Sequence, residues 1–366
     1  MLRNENIAMT LKPALSAYLD SLRFVAALAV MLGHMDQDGL HMAWLPLSRF
    51  SHEAVMIFFV LSGFIIYYST TARDTTLQHY AVARLSRIYS VALPAVVFST
   101  ALAFAVAQRQ AFDPAALSNY SEPSIWNTLS SLLFLNASWL NSADLTLNNP
   151  YWSLCYEVWF YVLFGVYFFV KGWARLVLVA LAALVAGPAI LVLLPIWVMG
   201  AWLAASGRHD SRWTQAQAWA GFLGPLVLIV LINLTNVDGL IQSFFYENVP
   251  GYWRLVSSQR FVTDYLIGAA LCLHIASFSS LPGWAQDFFA RHRSKWAAVA
   301  GFSFTLYLFH RPMTQLLGAY YPIEQGALLW SSVVALGILL ACWVISWGTE
   351  KQLPLWRRQF GRVLIK

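Results

Sequence analysis

The chain has 366 residues, of which 59% are hydrophobic, 16% aromatic and only 11% charged, with a formal net charge of +6. Soluble domains carry about 25% charged residues and about 45–50% apolar ones, so this composition argues against a soluble enzyme, a nucleic-acid-binding protein and a disordered chain. The 17 Trp and 16 Tyr are residues that favour membrane interfaces. The composition therefore predicts an all-α, polytopic integral membrane protein.

Ten apolar segments have about the length that a helix needs to cross a bilayer, which is about 20 residues. They lie near residues 17–35, 53–71, 88–107, 151–170, 173–187, 188–205, 217–234, 260–277, 297–320 and 327–348. The fifth and sixth segments are short and meet at a Gly-Pro pair, which predicts a tight turn between two helices. The segment 124–140 is interrupted by several Asn and Ser residues, so we expect an interfacial or re-entrant helix there.

The basic residues indicate how the spans are oriented, because Lys and Arg concentrate in cytoplasmic loops. With ten spans and a cytoplasmic N-terminus, 17 of the 23 basic residues fall on the inner side. An eleventh span at 124–140 would invert every later segment and put the basic C-terminal tail outside. We therefore predict ten spans, both termini in the cytoplasm, and a single membrane domain over residues 1–366 with no further soluble domain.

The N-terminal segment and the cysteines carry little functional signal. The first 20 residues lack the apolar core of a cleaved signal peptide, so we expect the first span to direct membrane insertion. Cys155, Cys272 and Cys342 lie in separate apolar segments without Cys-x-x-Cys spacing, which gives no support to a zinc site or a disulfide framework. We expect three buried packing residues and no metal site.

The first span carries ionisable residues, which are costly in a bilayer and by default point to function. Arg23 and His34 are eleven residues apart, which is about three helical turns, so both side chains share one face. Asp20 lies one turn before Arg23 on the same face. The structural alternative is that Asp20 and Arg23 merely pair with each other while His34 caps the helix at the interface.

Two later spans carry polar stripes at helical spacing. The stripe in the fourth span consists of Ser153, Glu157 and Tyr161, and that in the ninth consists of Ser303, Tyr307 and His310. Glu157 lies about two turns from the outer surface, too deep for easy solvation, so it needs a buried partner or a function. A hydrogen-bonded core histidine is the structural alternative for His310.

Two sites near the ends of spans also have ordinary explanations. Glu53 begins the second span near the outer boundary, where we expect a solvated carboxylate, and Ser62-Gly63 would allow close helix contact. Arg84 and Arg87 precede the third span at the cytoplasmic end. They either anchor the inner side or clamp a phosphate-rich ligand, because guanidinium groups match phosphate oxygens.

At these residues the sequence resembles the acyltransferase 3 family of bacterial membrane acyltransferases. The resemblance rests on five segments in the family's order: LDSLRFVAALAVMLGH (19–34), FFVLSGF (58–64), RLSRIY (84–89), WSLCYEVWFY (152–161) and SFTLYLFH (303–310). Each segment alone is a weak signal, but five in the right order are specific.

The resemblance implies a ten-helix enzyme of the bacterial inner membrane. Such an enzyme takes an acyl group, commonly acetyl, from cytoplasmic acyl-CoA and places it on a hydroxyl of an extracytoplasmic glycan, such as exopolysaccharide or lipid-linked oligosaccharide. Acetyl-CoA would be the donor substrate and no cofactor would be bound permanently. The partners would be acyl-CoA, the sugar hydroxyl, the lipid bilayer and the glycan-assembly machinery, but no nucleic acid.

For this reaction we expect His34 to be the base on the acceptor hydroxyl, because imidazole titrates near neutral pH. Glu157 or Asp36 would orient His34, and Arg23 would hold the thioester end or stabilise developing charge. Arg84 and Arg87 would bind acyl-CoA. Supporting polar contacts would come from Asp20, Ser153, Tyr161, Ser303, Tyr307 and His310. Sugar rings would stack on aromatic residues of the outer segments, namely Trp44, Trp139, Tyr246, Tyr252 and Trp253. A covalent acyl-histidine remains open.

Two other functional classes also remain open. Buried His, Glu and Arg residues build proton relays as well, so a proton-coupled transporter or glycan exporter is one alternative. A scaffold within a glycan-export complex is another. Inverted repeats would favour the transporter, and none is visible in the sequence.

Overall fold

The computed structural model describes residues 11–74, 76–108, 117, 120–139, 144–210, 212–321, 323 and 327–365. These residues are mostly helical, which confirms the predicted all-α class. The helices are α1 (Pro13–Gln37), α2 (Ser51–Arg73), α3 (Leu77–Ala107), α4 (Ile125–Leu132), α5 (Tyr151–Phe169), α6 (Trp173–Ala186), α7 (Pro188–Ala205), α8 (Gln215–Thr235), α9 (Val237–Asn248), α10 (Phe261–Phe278), α11 (Gly283–Arg291), α12 (Arg293–Ala300), α13 (Ser303–Tyr320), α14 (Leu328–Ser346) and α15 (Leu353–Leu364).

Nine of the ten predicted spans each overlap one helix, and the span 297–320 overlaps two, α12 and α13. In the described part of the chain, eight helical segments are long and apolar enough to cross a membrane. The other two predicted spans correspond to α6, which has only 14 residues, and to α13, which carries a buried arginine. The number of crossings and the sides of the termini therefore stay predictions.

Two helix boundaries differ from the predicted ones. Helix α3 begins at Leu77 rather than near residue 88, because the Thr76 side chain caps it by accepting a hydrogen bond from the His79 N–H at 3.3 Å. Arg84 and Arg87 therefore lie inside this helix and not before it. The predicted ninth span, 297–320, is broken between α12 and α13 by a turn at residues 301–302.

The helices divide into a buried centre and an apolar rim. Helix α1 packs against α2, α11, α12 and α13, and α10 packs against α7 and α8. The rim helices α6, α8 and α14 expose large apolar side chains, for example Leu176, Leu231 and Leu336. Such a rim suits lipid contact. The three cysteines are free and buried, as expected for packing residues.

Two glycines bring α2 and α7 into backbone contact. A Cβ atom added at Gly63 would lie 1.9 Å from the carbonyl oxygen of Trp197, and one added at Gly200 would lie 2.0 Å from that of Val60. Small residues allow this close approach between membrane helices. The expectation of close helix contact at Gly63 is therefore confirmed.

The segment 124–140 contains a helix of 8 residues, α4, which is far too short to cross a bilayer. The carbonyl groups at its end are satisfied by neighbouring side chains: Tyr89 donates to Leu132 O at 2.8 Å, and Trp159 Nε1 donates to Phe134 O at 2.8 Å. Irregular backbone at membrane depth is tolerated where protein groups satisfy it in this way. The described part of the segment therefore does not form an eleventh span, and its re-entrant or interfacial position stays a prediction.

Candidate active site

One cavity brings together most of the polar residues that the sequence singled out. It holds about 260 Å³ and lies among α1, α2, α3, α5, α13 and α15. Eight of the predicted site residues line it: Arg23, Arg84, Arg87, Ser153, Glu157, Tyr161, Ser303 and Tyr307. Because these residues come from four helices far apart in sequence, only the packing of the bundle places them together.

One end of the cavity is strongly basic. Arg73 on α2, Arg84 and Arg87 on α3, and Arg357 on α15 all line it; we call these four arginines the basic end. Arg84 has a distant carboxylate neighbour, Asp74 Oδ2 at 3.9 Å. A recess lined by several guanidinium groups attracts anions and binds phosphate oxygens through charge-assisted hydrogen bonds.

The wall of the cavity holds a chain of hydrogen bonds that ends at Glu157. The Tyr161 hydroxyl donates to Glu157 Oε1. Ser62 Oγ lies 3.1 Å from the Tyr161 hydroxyl and accepts a bond from Trp197 Nε1, also at 3.1 Å. Because an indole N–H only donates and a carboxylate only accepts, the Ser62 proton points to Tyr161. The chain thus fixes the Glu157 carboxylate against the wall.

The opposite end of the cavity is closed by two hydroxyl groups. Tyr307 Oη lies 2.6 Å from Ser153 Oγ and 3.3 Å from the carbonyl oxygen of Pro150. Phe58 packs edge-on against the Tyr307 ring at a centroid distance of 5.3 Å. Beyond this closed end, the Tyr307 ring adjoins that of His310 at 6.3 Å.

His34 and His310 form a hydrogen-bonded pair just beyond the cavity. His34 Nδ1 lies 2.8 Å from His310 Nε2, and the two rings are nearly parallel, 13° apart, with centroids 5.1 Å apart. His310 is fully buried, whereas His34 is half-buried. We refer to these two residues as the histidine pair. They are 276 positions apart, and the parallel packing of α1 and α13 joins them.

The hydrogen bonds of the histidine pair determine its tautomers. His310 Nδ1 lies 2.8 Å from the carbonyl oxygen of Leu306, which can only accept, so His310 carries a proton on Nδ1. In neutral His310 the Nε2 atom is then an acceptor, and His34 must donate to it from Nδ1–H. The lone pair of neutral His34 is left on Nε2, where it can take up a proton.

An ion pair and a close backbone contact fix the two helices that carry the histidines. Arg311 Nη1 donates to Asp38 Oδ2 at 2.8 Å and to the carbonyl oxygen of His34 at 3.3 Å. A Cβ atom added at Gly318 would lie 1.8 Å from the Asp38 carbonyl oxygen. The pair therefore has little freedom to shift along α1 or α13.

The predicted carboxylate partner of His34 is wrong. Asp36 Oδ1 accepts a bond from the Ala43 N–H at 2.8 Å, and Glu157 is engaged by Tyr161. The side chain that bonds to His34 is instead His310. Asp20 Oδ1 lies 3.5 Å from Arg23 Nη1, as the spacing predicts. Arg23 therefore pairs with Asp20 and also lines the cavity.

Glu53 is not the solvated carboxylate that we expected. It is 2% exposed and forms an ion pair with Arg260 at 2.9 Å, and Arg260 also contacts Asp238 at 3.1 Å. Nearby, His52 pairs with buried Asp264 at 2.8 Å. Despite this cluster, no group of three or more His, Cys, Asp or Glu side chains in the described ranges is arranged to hold a metal ion.

The aromatic residues of the outer segments differ in what they can offer a sugar. Trp44, Trp139, Tyr246 and Trp253 are exposed. Tyr252, however, is 3% exposed, and its ring stacks on a neighbouring phenylalanine at 5.2 Å. The expectation that Tyr252 presents a stacking surface is therefore wrong, because its ring is buried against Phe245 of α9.

The structure adds four polar cavity residues that sequence reasoning did not assign to the site: Ser62, Ser69, Arg73 and Arg357. Ser62 was assigned only to helix packing, and the two arginines only to the positive inner flank. Arg357 had a detectable signal, because it belongs to a C-terminal segment in which basic residues alternate with apolar ones at helical spacing.

Comparisons with known proteins found similar sequences. A family model described as an acyltransferase domain matches residues 16–347. Acyltransferase MdmB of Streptomyces mycarofaciens is 28% identical over 158 residues, which is 41% of this chain and 38% of that protein. The match thus spans well under half of that relative's length. No solved structure matches the chain.

Proposed function

This chain belongs to the acyltransferase-domain family, whose model covers residues 16–347, and from that premise we propose that it is a membrane O-acyltransferase. It takes an acyl group, in the simplest case acetyl, from acyl-CoA on the cytoplasmic side and transfers it to a hydroxyl of an extracytoplasmic glycan. The observation that carries the proposal is the cavity with a basic end at one side and the histidine pair beyond its other end.

The basic end is suited to the nucleotide part of acyl-CoA. Coenzyme A carries several phosphate charges at one end and the thioester at the other, so its two ends need different surroundings. Arg84 and Arg87 offer bidentate phosphate contacts, and the cavity leads from them to the hydroxyl groups of Ser153 and Tyr307. The acyl thioester would lie at that end.

The distance between Arg23 and His34 restricts the roles that Arg23 can have in the reaction. Eleven residues at 1.5 Å each put them roughly 16 Å apart along α1. Arg23 is therefore too far from His34 to act on the same reacting carbonyl. It lines the cavity instead, where it would hold the arm of the donor. The hydroxyls of Tyr307 and Ser153 are better placed to stabilise the tetrahedral oxyanion.

The chemistry follows from the lone pair on His34 Nε2. This atom removes the proton from the acceptor hydroxyl, and the resulting alkoxide attacks the thioester carbonyl. When the tetrahedral intermediate collapses, the C–S bond breaks and the CoA thiolate takes the proton back from His34. His310 Nε2 accepts the Nδ1–H of His34 throughout, which orients the ring and stabilises its charged form.

The acceptor would approach from the side opposite the basic end. There Trp44, Tyr246 and Trp253 expose their rings, and exposed aromatic faces are common stacking surfaces for sugars. The donor is made in the cytoplasm, so the basic end would face inward, in agreement with the positive-inside rule. We infer a location in the bacterial inner membrane.

A comparison of two histidine variants tests this function. His34→Ala should insert at the wild-type level but form no O-acylated glycan, because the base is lost. His292→Ala, outside the cavity, should retain activity. The measurement is the O-acyl content of surface glycans by mass spectrometry in cells with matched amounts of membrane protein. Wild-type levels of product from His34→Ala would refute the assignment.

A proton-coupled transporter is the second candidate, because the histidine pair and the Arg311–Asp38 ion pair also resemble the parts of a proton relay. The two functions differ in what they consume. Solute flux without release of free CoA would favour the transporter, whereas release of CoA in step with glycan acylation favours the enzyme.

A further inference from the structure

The C-terminal helix α15 lies across the basic end of the cavity, outside the predicted spans. Leu353 and Arg357 of this helix line the cavity. The five segments that resemble the family end at His310, so nothing in the sequence motifs assigns this helix to the site. The inference below rests on the proposed function, and it concerns the donor substrate.

Helix α15 is held against α3 by one apolar face. Leu353, Trp356 and Phe360 are half-buried at helical spacing, while the residues between them are exposed. The Phe360 ring lies 5.9 Å from that of Tyr89 on α3. This packing fixes which side of α15 turns towards the cavity.

The turn before α15 is tied to the start of α13. Glu350 Oε2 accepts bonds from the Thr305 N–H at 3.2 Å and from the Thr305 hydroxyl at 3.4 Å. The hydroxyls of Thr305 and Thr349 are 2.9 Å apart. Helix α15 is thus anchored to α13 at one end and to α3 along its length, and it bridges these helices over the basic end.

This position gives Arg357 a different environment from that of the next residue. Arg357 lines the cavity together with Arg73, Arg84 and Arg87, whereas Arg358 does not. Among the described residues, neither Arg87 nor Arg357 has a carboxylate within ion-pair distance. Cationic groups without such partners are available to an anionic ligand.

We propose that Arg357 binds the 3′-phosphate of acyl-CoA and that α15 forms the outer wall of the donor site. In coenzyme A the 3′-phosphate belongs to the adenosine end, the part furthest from the thioester. Arg357 lines the cavity and is exposed, whereas Arg84 and Arg87 are half-buried. The diphosphate would then lie deeper, against Arg84 and Arg87.

The test compares two neighbouring arginines in the purified full chain. Equilibrium binding of coenzyme A and of dephospho-coenzyme A is measured for Arg357→Gln and Arg358→Gln. Arg357→Gln should weaken binding of coenzyme A about 10-fold to 100-fold, the effect of one charge-assisted hydrogen bond. It should leave dephospho-coenzyme A binding nearly unchanged. Arg358→Gln should bind both ligands as the wild type does.

Other outcomes distinguish this inference from the proposed function. If Arg357→Gln and Arg358→Gln behave alike while a double Arg84→Gln/Arg87→Gln variant loses coenzyme A binding, the role of Arg357 is refuted and the donor site stands. If the wild type binds no coenzyme A, the proposed function fails as well. A size-exclusion profile checks folding, and Arg357→Lys should restore part of the affinity because it keeps the charge.

Discussion

At the scale of single residues, the histidine pair is the most informative feature. A backbone carbonyl fixes the proton on His310 Nδ1, and this proton in turn decides which nitrogen of His34 is free. His310 would therefore act through His34 as a positioning residue. Its contribution depends on one acceptor atom at the right place, so replacements that keep or remove that atom are a direct test.

We expect His310→Gln to retain more activity than His310→Leu. The amide oxygen of Gln can accept the Nδ1–H of His34, whereas Leu leaves this donor unpaired and allows the other tautomer. Loss of an oriented base reduces turnover by roughly 10²-fold to 10⁴-fold, and we expect a loss of this size for Leu. The measurement is kcat and KM with acyl-CoA for both variants.

The KM for acyl-CoA should be unchanged in both variants, since the donor occupies the cavity rather than the histidine pair. Equal losses in kcat for Gln and Leu would contradict the positioning role. Such a result would mean that His310 itself is needed, either as a packing group or as a proton carrier.

The site residues that could be predicted from the sequence are those whose contacts follow from helix geometry. Asp20 and Arg23 are one turn apart, as are Glu157 and Tyr161, and both contacts are present. The bond between His34 and His310 could not be predicted, because it depends on how α1 packs against α13. For the same reason a carboxylate partner was the wrong expectation.

At the scale of helices, the contact between α2 and α7 brings Trp197 within hydrogen-bond distance of Ser62, which lines the cavity. The two glycines leave no room for a side chain, so Gly200→Ala should force the helices apart. Overpacking of this kind costs about 1–3 kcal/mol. We expect a lower midpoint of thermal unfolding for purified Gly200→Ala in detergent.

Gly337→Ala on α14 is the matched control. A Cβ atom at this position meets nothing within 4 Å, and Ala favours a helix over Gly. Its unfolding midpoint should equal or exceed that of the wild type. If both variants unfold at the same temperature, the backbone contact between α2 and α7 is not a determinant of stability.

Hydropathy located the membrane helices but not all of their ends. The start of α3 was missed because its first turns, residues 77–87, contain polar and basic residues, and a capping threonine starts the helix before the apolar segment. The break between α12 and α13 was missed because apolar residues continue through it. Hydropathy reports where a chain tolerates lipid, whereas a helix ends where its backbone hydrogen bonds end.

At the scale of the whole molecule, the proposal requires the basic end and the outer aromatic residues to face opposite sides of the membrane. Cysteine labelling tests this, because the native cysteines are buried and should give little background. In intact cells a membrane-impermeant maleimide should label Ser243→Cys on α9. It should label Gln359→Cys on α15 only after the membrane is permeabilised.

Both substituted positions are exposed. A difference in labelling between them therefore reports the side of the membrane and not burial of the thiol. Labelling of Gln359→Cys in intact cells would place α15 outside. The basic end, which includes Arg84, Arg87 and Arg357, would then face a compartment without acyl-CoA. The proposed donor site would be refuted.

The closed end of the cavity has a consequence for the cell as a whole. A protein that receives its donor from one side and its acceptor from the other needs an opening on each side of the membrane. If water filled a continuous path between the two openings, that path would dissipate the proton gradient. The paired hydroxyls of Ser153 and Tyr307, backed by Phe58, lie at the end of the cavity that adjoins His310. They would thus block a continuous path for water and ions, while leaving the thioester within reach of the acceptor hydroxyl.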